Sequence, residues 1–420
     1  MHPENQKKHD EKLKRINDAI ALKEPDRVPI SPIPELYQVF HSGYTIAEVI
    51  YDTSMEKIKN AAVNYVRDFD PDTGIGAGLV FAGEGPGMEL VRAKNMRWAG
   101  MPGDILDVNS LQQFIEYPLL LDDEFDEFFK DRTGWSIRKA LPRVSELLEP
   151  LAKFQAPAGN ASRGARALAS LFSTPEYRSM IQDFWAIDDF YKSYQEKANA
   201  INDVILEIGY PMTRGGSAGV PFDFYSDYLR GTILTMEDLF ERPEAIQKYI
   251  DEAIEITLAN IAATKGKDEG KHVFMALHKG MDGFLSHEHY RKYYWNHLQK
   301  IILAIIDSGK VPYIYTEGKY NHRLDCLSEV PPGKVFYHFE DVDMAVAKKK
   351  LGGIACISGG FPASLLDWST PARIREEMKK LYDVCAPGGG FIFETSCGMG
   401  NCKRENVEAM FEAARELGKY

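Results

Sequence analysis

The chain has 420 residues, 44% of them hydrophobic and 27% charged, with a formal net charge of −12. That is ample apolar material for a large core, and the carboxylate surplus argues against a nucleic-acid partner, which draws on clustered Lys and Arg. The five cysteines, Cys326, Cys356, Cys385, Cys397 and Cys402, make no disulfide framework, and their odd number fits a reducing compartment, so a cytoplasmic location is expected.

Residues 4–23 read as an amphipathic helix, with Leu13, Ile16, Ala19, Ile20 and Leu22 at helical spacing and Pro25 as its stop. This charged start carries no apolar core of a signal peptide. Nowhere does an apolar run approach the roughly 20 residues that a membrane helix needs, so no membrane association is expected. Strands are expected near 28–33, 74–81 and 210–215, and residues 88–209 read as a helical and hairpin insertion. Beyond it, β-rich runs at 273–277, 311–315, 335–339, 353–357 and 391–393 alternate with helical patterns at 287–307, 341–350, 371–385 and 404–417. The linkers are short, which means parallel βα units. The expected fold is therefore an eight-stranded (β/α)8 barrel of the TIM type, one domain over residues 1–420, with an N-terminal helix and the insertion at 88–209.

Several glycine and cysteine motifs carry little. Gly74-Ile-Gly-Ala-Gly lacks the spacing and the following helix of a dinucleotide loop. Gly215-Gly-Ser217-Ala-Gly matches a nucleophile elbow in letters, yet Val220-Pro-Phe-Asp follows it as loop. Cys397-Gly-Met-Gly-Asn-Cys402 has no second cysteine pair to make a zinc finger.

The chemistry-bearing residues sit in or just past three late strands. Glu317 follows the run 311–315, His338 lies within 335–339, and Cys397 follows 391–393. In a parallel barrel these positions converge on the carboxyl rim, where barrel enzymes work. Glu, His and Cys together can hold a catalytic zinc with an open position. Each also has a plainer reading as a surface carboxylate, a hydrogen-bonded core histidine or an inert buried thiol.

The ordered segments Glu24-Pro-Asp-Arg-Val-Pro, Pro221-Phe-Asp-Phe-Tyr with Gly231, Asp238-Leu-Phe-Glu-Arg-Pro-Glu, Lys350-Leu-Gly-Gly, Ser358-Gly-Gly-Phe-Pro and Gly389-Gly-Phe-Ile-Phe-Glu-Thr-Ser-Cys-Gly resemble the uroporphyrinogen decarboxylase superfamily. That resemblance implies an α/β barrel. The decarboxylases carry an arginine-rich segment after the first strand; here the region reads Glu35-Leu-Tyr-Gln-Val-Phe-His-Ser-Gly, without arginine. Thiol-activating methyltransferases of the superfamily bind zinc through a His-x-Cys pair and a later Cys. Here Tyr315 and Glu317 stand in the pair, and Cys397 matches the later Cys. Carboxylate in place of thiolate makes a harder, more oxygen-seeking site.

The resemblance thus implies the cobalamin-dependent branch that demethylates methyl ethers. Zinc held by Glu317, His338 and Cys397 would polarise the ether oxygen, with Glu394, Glu340 and His278 in reserve as donors. Glu317 and His338 are the catalytic candidates; Tyr37, Phe40, Tyr225 and His278 are the substrate-binding candidates. No Asp-x-His-x-x-Gly cobalamin motif is present, so the corrinoid would come on a partner protein. The substrate would be a small methoxylated, aromatic compound, and the oligomeric state stays open, a homodimer included. Three alternatives remain: a lyase acting on a smaller acid through Arg214 and His278, a coenzyme M-type methylcobamide methyltransferase, and a non-catalytic scaffold for a corrinoid protein.

Overall fold

The alternation in the second half of the chain becomes a parallel sheet. A computed structural model describes residues 1–77, 80–103, 105–155, 160–264 and 271–420. Its short strands β1 (Met96–Arg97) and β2 (Gln113–Phe114) form an antiparallel hairpin inside the insertion. The main sheet contains β3 (Arg214–Ser217), β4 (His272–Leu277), β5 (Val311–Lys319), β6 (Phe336–Asp341) and β7 (Cys356–Gly359), in that spatial order. All neighbours in it are parallel. Helices cross between consecutive strands, among them Pro243–Ala262, Asn296–Asp307 and Met344–Leu351.

Side chains on a strand alternate between faces, and here the two faces join different cores. Val273, Met275 and Leu277 of β4, Ile314 of β5, Tyr337 and Phe339 of β6 and Ile357 of β7 pack outward into the large core shared with the helices. Each such fully buried aliphatic or aromatic side chain contributes roughly 1.5–3 kcal/mol. Their alternates Tyr313, Phe336 and Cys356, with Phe274 and Val311, pack inward against Ile16, Ala19 and Ile20. The N-terminal helix Pro3–Ile20 thus closes the floor of the inner face.

The ladder is not a closed eight-stranded barrel. Beyond β7 it continues through isolated parallel bridges, Ile357 with Phe391, Phe361 with Thr395, and Ile30 with Phe393. Single bonds carry it further: Asp72 N donates to Ile30 O (2.7 Å) and Gly74 N to Pro211 O (2.9 Å). The physical reason lies in composition. Pro29, Pro32, Pro71 and Pro211 bring no N–H to a ladder, and Gly388, Gly389 and Gly390 turn with positive φ before the last segment. Among the described residues of the strand expected over 74–81, no strand is formed; residues 78 and 79 lie outside the described residues.

A buried carboxylate does some of the joining. Asp72 accepts from Arg27 Nη1 (2.6 Å), Arg15 Nη1 (2.6 Å) and the Ile30 backbone N–H (2.7 Å). The segment Glu24–Pro29 is therefore architectural: Arg15 of the N-terminal helix bonds to its Asp26 and to Asp72, which also holds Arg27 and Ile30.

Most helices fall where periodicity placed them, including Pro371–Cys385 and Arg404–Leu417. The insertion is dominated by one 33-residue helix, Pro175–Glu207. Among the described residues no helix is long and apolar enough to cross a membrane.

Candidate functional site

The inner face rises in layers from floor to rim, because β5 and β6 pair Tyr313 with Phe336 and Tyr315 with His338. In the floor the Tyr313 and Phe336 rings stack with centroids 4.6 Å apart. His272 is buried beside them, and burial pushes its pKa down to about 4, so it is neutral at pH 7.

In the middle layer Tyr315 stacks on His338 at 4.3 Å. Glu394 accepts from Ser358 Oγ (2.6 Å) and from Tyr313 OH (3.1 Å), and pairs with His338 Nδ1 at 2.7 Å. The other His338 nitrogen, Nε2, lies 3.0 Å from the Ser396 carbonyl oxygen. Both partners are acceptors, so both ring nitrogens are engaged.

The rim carries Glu317, Glu340, Cys397 and Glu35. Glu340 accepts from the Gly318 backbone N–H, which brings it level with Glu317. Burial raises the Glu317 pKa, opposed by nearby His278 and reinforced by Glu340. Burial likewise raises Glu35, and raises the Cys397 thiol, to which Glu340 and Glu35 add. Glu35 lies against Gly398, where any Cβ would collide with its carboxylate at 1.6 Å.

These positions correct the expected ligand set. His338 lies a layer below Glu317, and both its ring nitrogens already face protein oxygens, Glu394 Oε2 and the Ser396 carbonyl. Burial, with Glu340 and Glu35 nearby, pushes the Cys397 thiol up. Among the described residues no group of three or more His, Cys, Asp or Glu is placed to hold a metal ion. As arranged, Glu317, His338 and Cys397 do not fit zinc.

His278, just past β4, does reach the rim. Its Nδ1 pairs with Asp227 Oδ2 at 2.5 Å, and its Nε2 lies 3.6 Å from Glu317 Oε1. The Asp227 hydrogen bond, against the cost of burial, lifts the His278 pKa to about 9, so the ring is cationic at pH 7. Lys279 Nζ also reaches Asp227 (3.1 Å) and Thr232 Oγ1 (2.9 Å). Behind them Asp223 accepts from Tyr294 OH (2.7 Å) and from the Lys279 backbone N–H (2.9 Å), and burial raises it to about 7. Asp227 sits in a π-helical turn, Ser226–Arg230, that directly continues the helix Pro221–Tyr225. No linear motif announces such a turn, which is why sequence reasoning missed Asp227; Asp223 lies in the quoted segment Pro221-Phe-Asp-Phe-Tyr but is read there only as a mark of resemblance, and Lys279 directly follows His278.

The other substrate candidates are core residues. Tyr37 is buried among His41, Tyr65 and Phe69. Phe40 packs on a second cluster around Val39 and Ile46. Tyr225 is fully buried and donates to Asp238 (2.6 Å), which also pairs with buried Arg230 at 2.6 Å. Aromatic residues near strand ends are as useful to packing as to binding, and here packing claims them.

A cavity of about 440 Å³ opens on the inner face. Its walls include Ser31, Thr73, Arg214, His272, Tyr313 and Glu394, and the long helix contributes Tyr194 and Asn202. The Arg214 guanidinium lies 4.7 Å from the Phe274 ring centroid and 5.3 Å from that of Tyr313.

Residues 173–417 match the family described as Uroporphyrinogen decarboxylase (URO-D). A uroporphyrinogen decarboxylase of Cellvibrio japonicus is 22% identical over 230 residues, 52% of this chain and 63% of that protein's length. One of Actinobacillus succinogenes is 22% identical over 259 residues, 59% of this chain and 71% of the other. A solved structure described as a methyltransferase from Methanosarcina mazei superposes with a TM-score of 0.58 at 14% identity, over 96% of this chain and 98% of that one. At that identity the superposition speaks for the fold alone.

Proposed function

The chain belongs to the uroporphyrinogen decarboxylase (URO-D) family, and on that premise we propose that it is a methyltransferase-type member, taking the methyl group of a methoxylated aromatic compound and passing it to a Co(I) corrinoid on a partner protein. On the same premise the sheet and its bridged segments are read as one eight-stranded barrel domain with its chemistry at the carboxyl rim.

The observation that carries this reading is the charge of the rim. A porphyrinogen bearing many carboxylates calls for a cationic clamp. Here Glu35, Glu317 and Glu340 gather around Tyr315 and Cys397, and the segment 35–43 has no arginine. Such a rim repels a polyanion and tolerates a neutral ether.

The corrinoid, when its carrier docks, supplies the nucleophile for the methyl carbon. The residues of this chain act at the oxygen. As the carbon–oxygen bond breaks, its electron pair stays on oxygen, which then needs a proton. His278 is cationic at pH 7, held by Asp227, and its Nε2 is beyond hydrogen-bonding length from Glu317. That nitrogen can give its proton to a substrate oxygen placed between the two, leaving a phenol or alcohol. Burial raises the Glu317 pKa, opposed by the charge of His278. No zinc step enters this scheme.

The test is a methyl-transfer assay with a panel of methoxylated aromatics and a reduced corrinoid carrier. Transfer is expected from the wild-type protein and little from His278→Gln. Release of CO2 from small carboxylic acids, with no methyl transfer from any ether, would instead establish the lyase.

A further inference from the structure

We infer that Asp223 is a positioning residue of the rim: its carboxylate grips the backbone turn that carries His278, and so aims the ring at the gap beside Glu317. This rests on His278 as the proton donor proposed above.

Three observations carry it. First, the donors that meet Asp223 come mainly from that turn. Its Oδ1 accepts from the Lys279 backbone N–H (2.9 Å), and its Oδ2 from the His278 backbone N–H (3.3 Å) and from Tyr294 OH (2.7 Å). Asp223 is only 5% exposed. A carboxylate so buried is costly unless its lone pairs are met, and the turn meets them.

Second, Asp223 shares its task with Asp227, four residues on in the continuous segment Pro221–Arg230. Like charges at that spacing repel, so the pair needs donors to hold it. Between them the two carboxylates take both residues of the turn twice. Asp223 takes the two backbone N–H groups, and Asp227 takes the two side chains, His278 Nδ1 at 2.5 Å and Lys279 Nζ at 3.1 Å. Asp227 thus sets the rotation of the ring, and Asp223 sets the place from which it is hung. A misplacement of about 1 Å at a reacting group can cost roughly 10²-fold in rate.

Third, the turn is seated on the tyrosine that directs Asp223. A Cβ on Gly280 would come within 2.7 Å of Tyr294 Cε1 and of Tyr320 OH, so glycine lets the backbone lie against both. Tyr320 OH also donates to the Leu277 carbonyl at 3.3 Å, which fixes the end of β4 just before His278. Tyr294 lies in the π-helical turn Tyr290–Trp295, as Asp227 lies in Ser226–Arg230. Such turns are rare and gather at functional sites.

The test uses the full-length protein with Asp223→Asn and Tyr294→Phe. Asparagine keeps the shape, but whichever way its amide lies, an N–H group meets a backbone N–H of the turn. Proton NMR at pH 7 should show a downfield resonance for the His278 ring proton bonded to Asp227, identified by its loss in His278→Gln. In Asp223→Asn that resonance is expected to broaden or vanish, and the amides of residues 278 and 279 to exchange about tenfold faster or more. The kcat of methyl transfer should fall about tenfold or more with KM within about twofold. Tyr294→Phe should move each measure the same way by less, and it decides the matter if Asp223→Asn does not fold. An unchanged resonance and unchanged exchange overturn the inference, and so does a wild-type kcat in a variant whose resonance is lost. If His278→Gln itself leaves methyl transfer intact, the proton-donor reading is what fails, and the resonance and exchange alone decide whether Asp223 holds the ring.

Discussion

The two faces of the parallel sheet are made from the same strands, one residue out of phase. Outward, Val273, Met275, Leu277, Ile314, Tyr337, Phe339 and Ile357 meet helices and bring no carboxylate, imidazole or amine. Inward, the same strands present His272, Tyr313, Tyr315, Glu317, Phe336, His338 and Glu340, and the loop past β4 adds His278. The difference teaches that one ladder can divide its labour by parity. Even-spaced positions on one side hold the fold together, and those on the other hold charge and hydrogen bonds where a ligand can reach them. A slip of one residue in register would exchange the two sets, so the outer face protects the chemistry of the inner one.

The comparison breaks most visibly at Ile314. Ile314→Asp puts an unpaired charge into the outer core, and no folded protein is expected by circular dichroism. Three residues on, Glu317→Gln on the rim should leave the unfolding free energy within about 1 kcal/mol of wild type. A destabilised Glu317→Gln protein would mean that the inner face also holds the fold together.

The next effect is catalytic. His278→Gln should lower kcat of methyl transfer by ~10²–10⁴-fold with an unchanged melting temperature, as expected for loss of a general acid. An unchanged kcat removes His278 from the chemistry. In the wild type the same proton sets the alkaline limb. The folded-state pKa of His278 is raised to about 9, so the acid is present at neutral pH and is lost as pH rises through about 9. The rate should then fall about tenfold per pH unit. A limb centred near 6.5 would mean that Asp227 does not hold the ring in its charged form.

A smaller effect concerns stability in acid. The pKa of His272 is lowered to about 4 in the folded protein, against 6.5 as its ordinary value. The unfolded chain therefore takes up this proton first. The contribution of His272 is present above pH 6.5 and is lost as pH falls towards 4. Urea unfolding at pH 7 and pH 4.5 should show a smaller loss for His272→Gln than for wild type. An identical loss would place the acid sensitivity elsewhere.

The smallest expected change is at Cys397. Cys397→Ser should leave metal content and turnover within about twofold of wild type, since the thiol is pushed up by burial and its acidic neighbours. Stoichiometric zinc in the wild type, lost in this variant, would restore a metal to the rim and displace His278 as the activating group.

Much of the second half was legible because βα units write themselves in short apolar runs separated by tight turns. Pro371–Cys385 and Arg404–Leu417 were readable to the residue. The first segments were not, since prolines at 29, 32, 71 and 211 replace ladder bonds by the Asp72 carboxylate and single bridges. The long helix Pro175–Glu207 also hid. It buries Tyr177 and Met180 near one end and Ile201 and Ile205 near the other, so no continuous stripe marks it.

At the site, Glu317, Cys397 and His278 lie in or just past strand segments, where their sequence positions put them. His338 lies a layer lower, and the missing signal was parity with register. Tyr315 pairs with His338, so two residues further along Glu317 comes level with Glu340. Tyr37, Phe40 and Tyr225 could not have been told from core by sequence, because aromatic rings serve both purposes.

The floor of the inner face has a consequence for synthesis. Ile16, Ala19 and Ile20 belong to the first helix, yet their partners Tyr313, Phe336, Cys356 and Ile392 come from the far end of the chain. At ribosomal rates of about 5–20 residues per second, roughly 20–70 s separate the emergence of the two sides. For that interval the first helix carries an apolar stripe with nothing native to cover it. Gly418 matters as well, since Val28 N–H donates to its carbonyl at 2.8 Å. Native closure is thus a late and long-range event. A nascent chain of this kind stays open to holdase chaperones, and to mispairing, until the segment that carries Gly418 has left the ribosome.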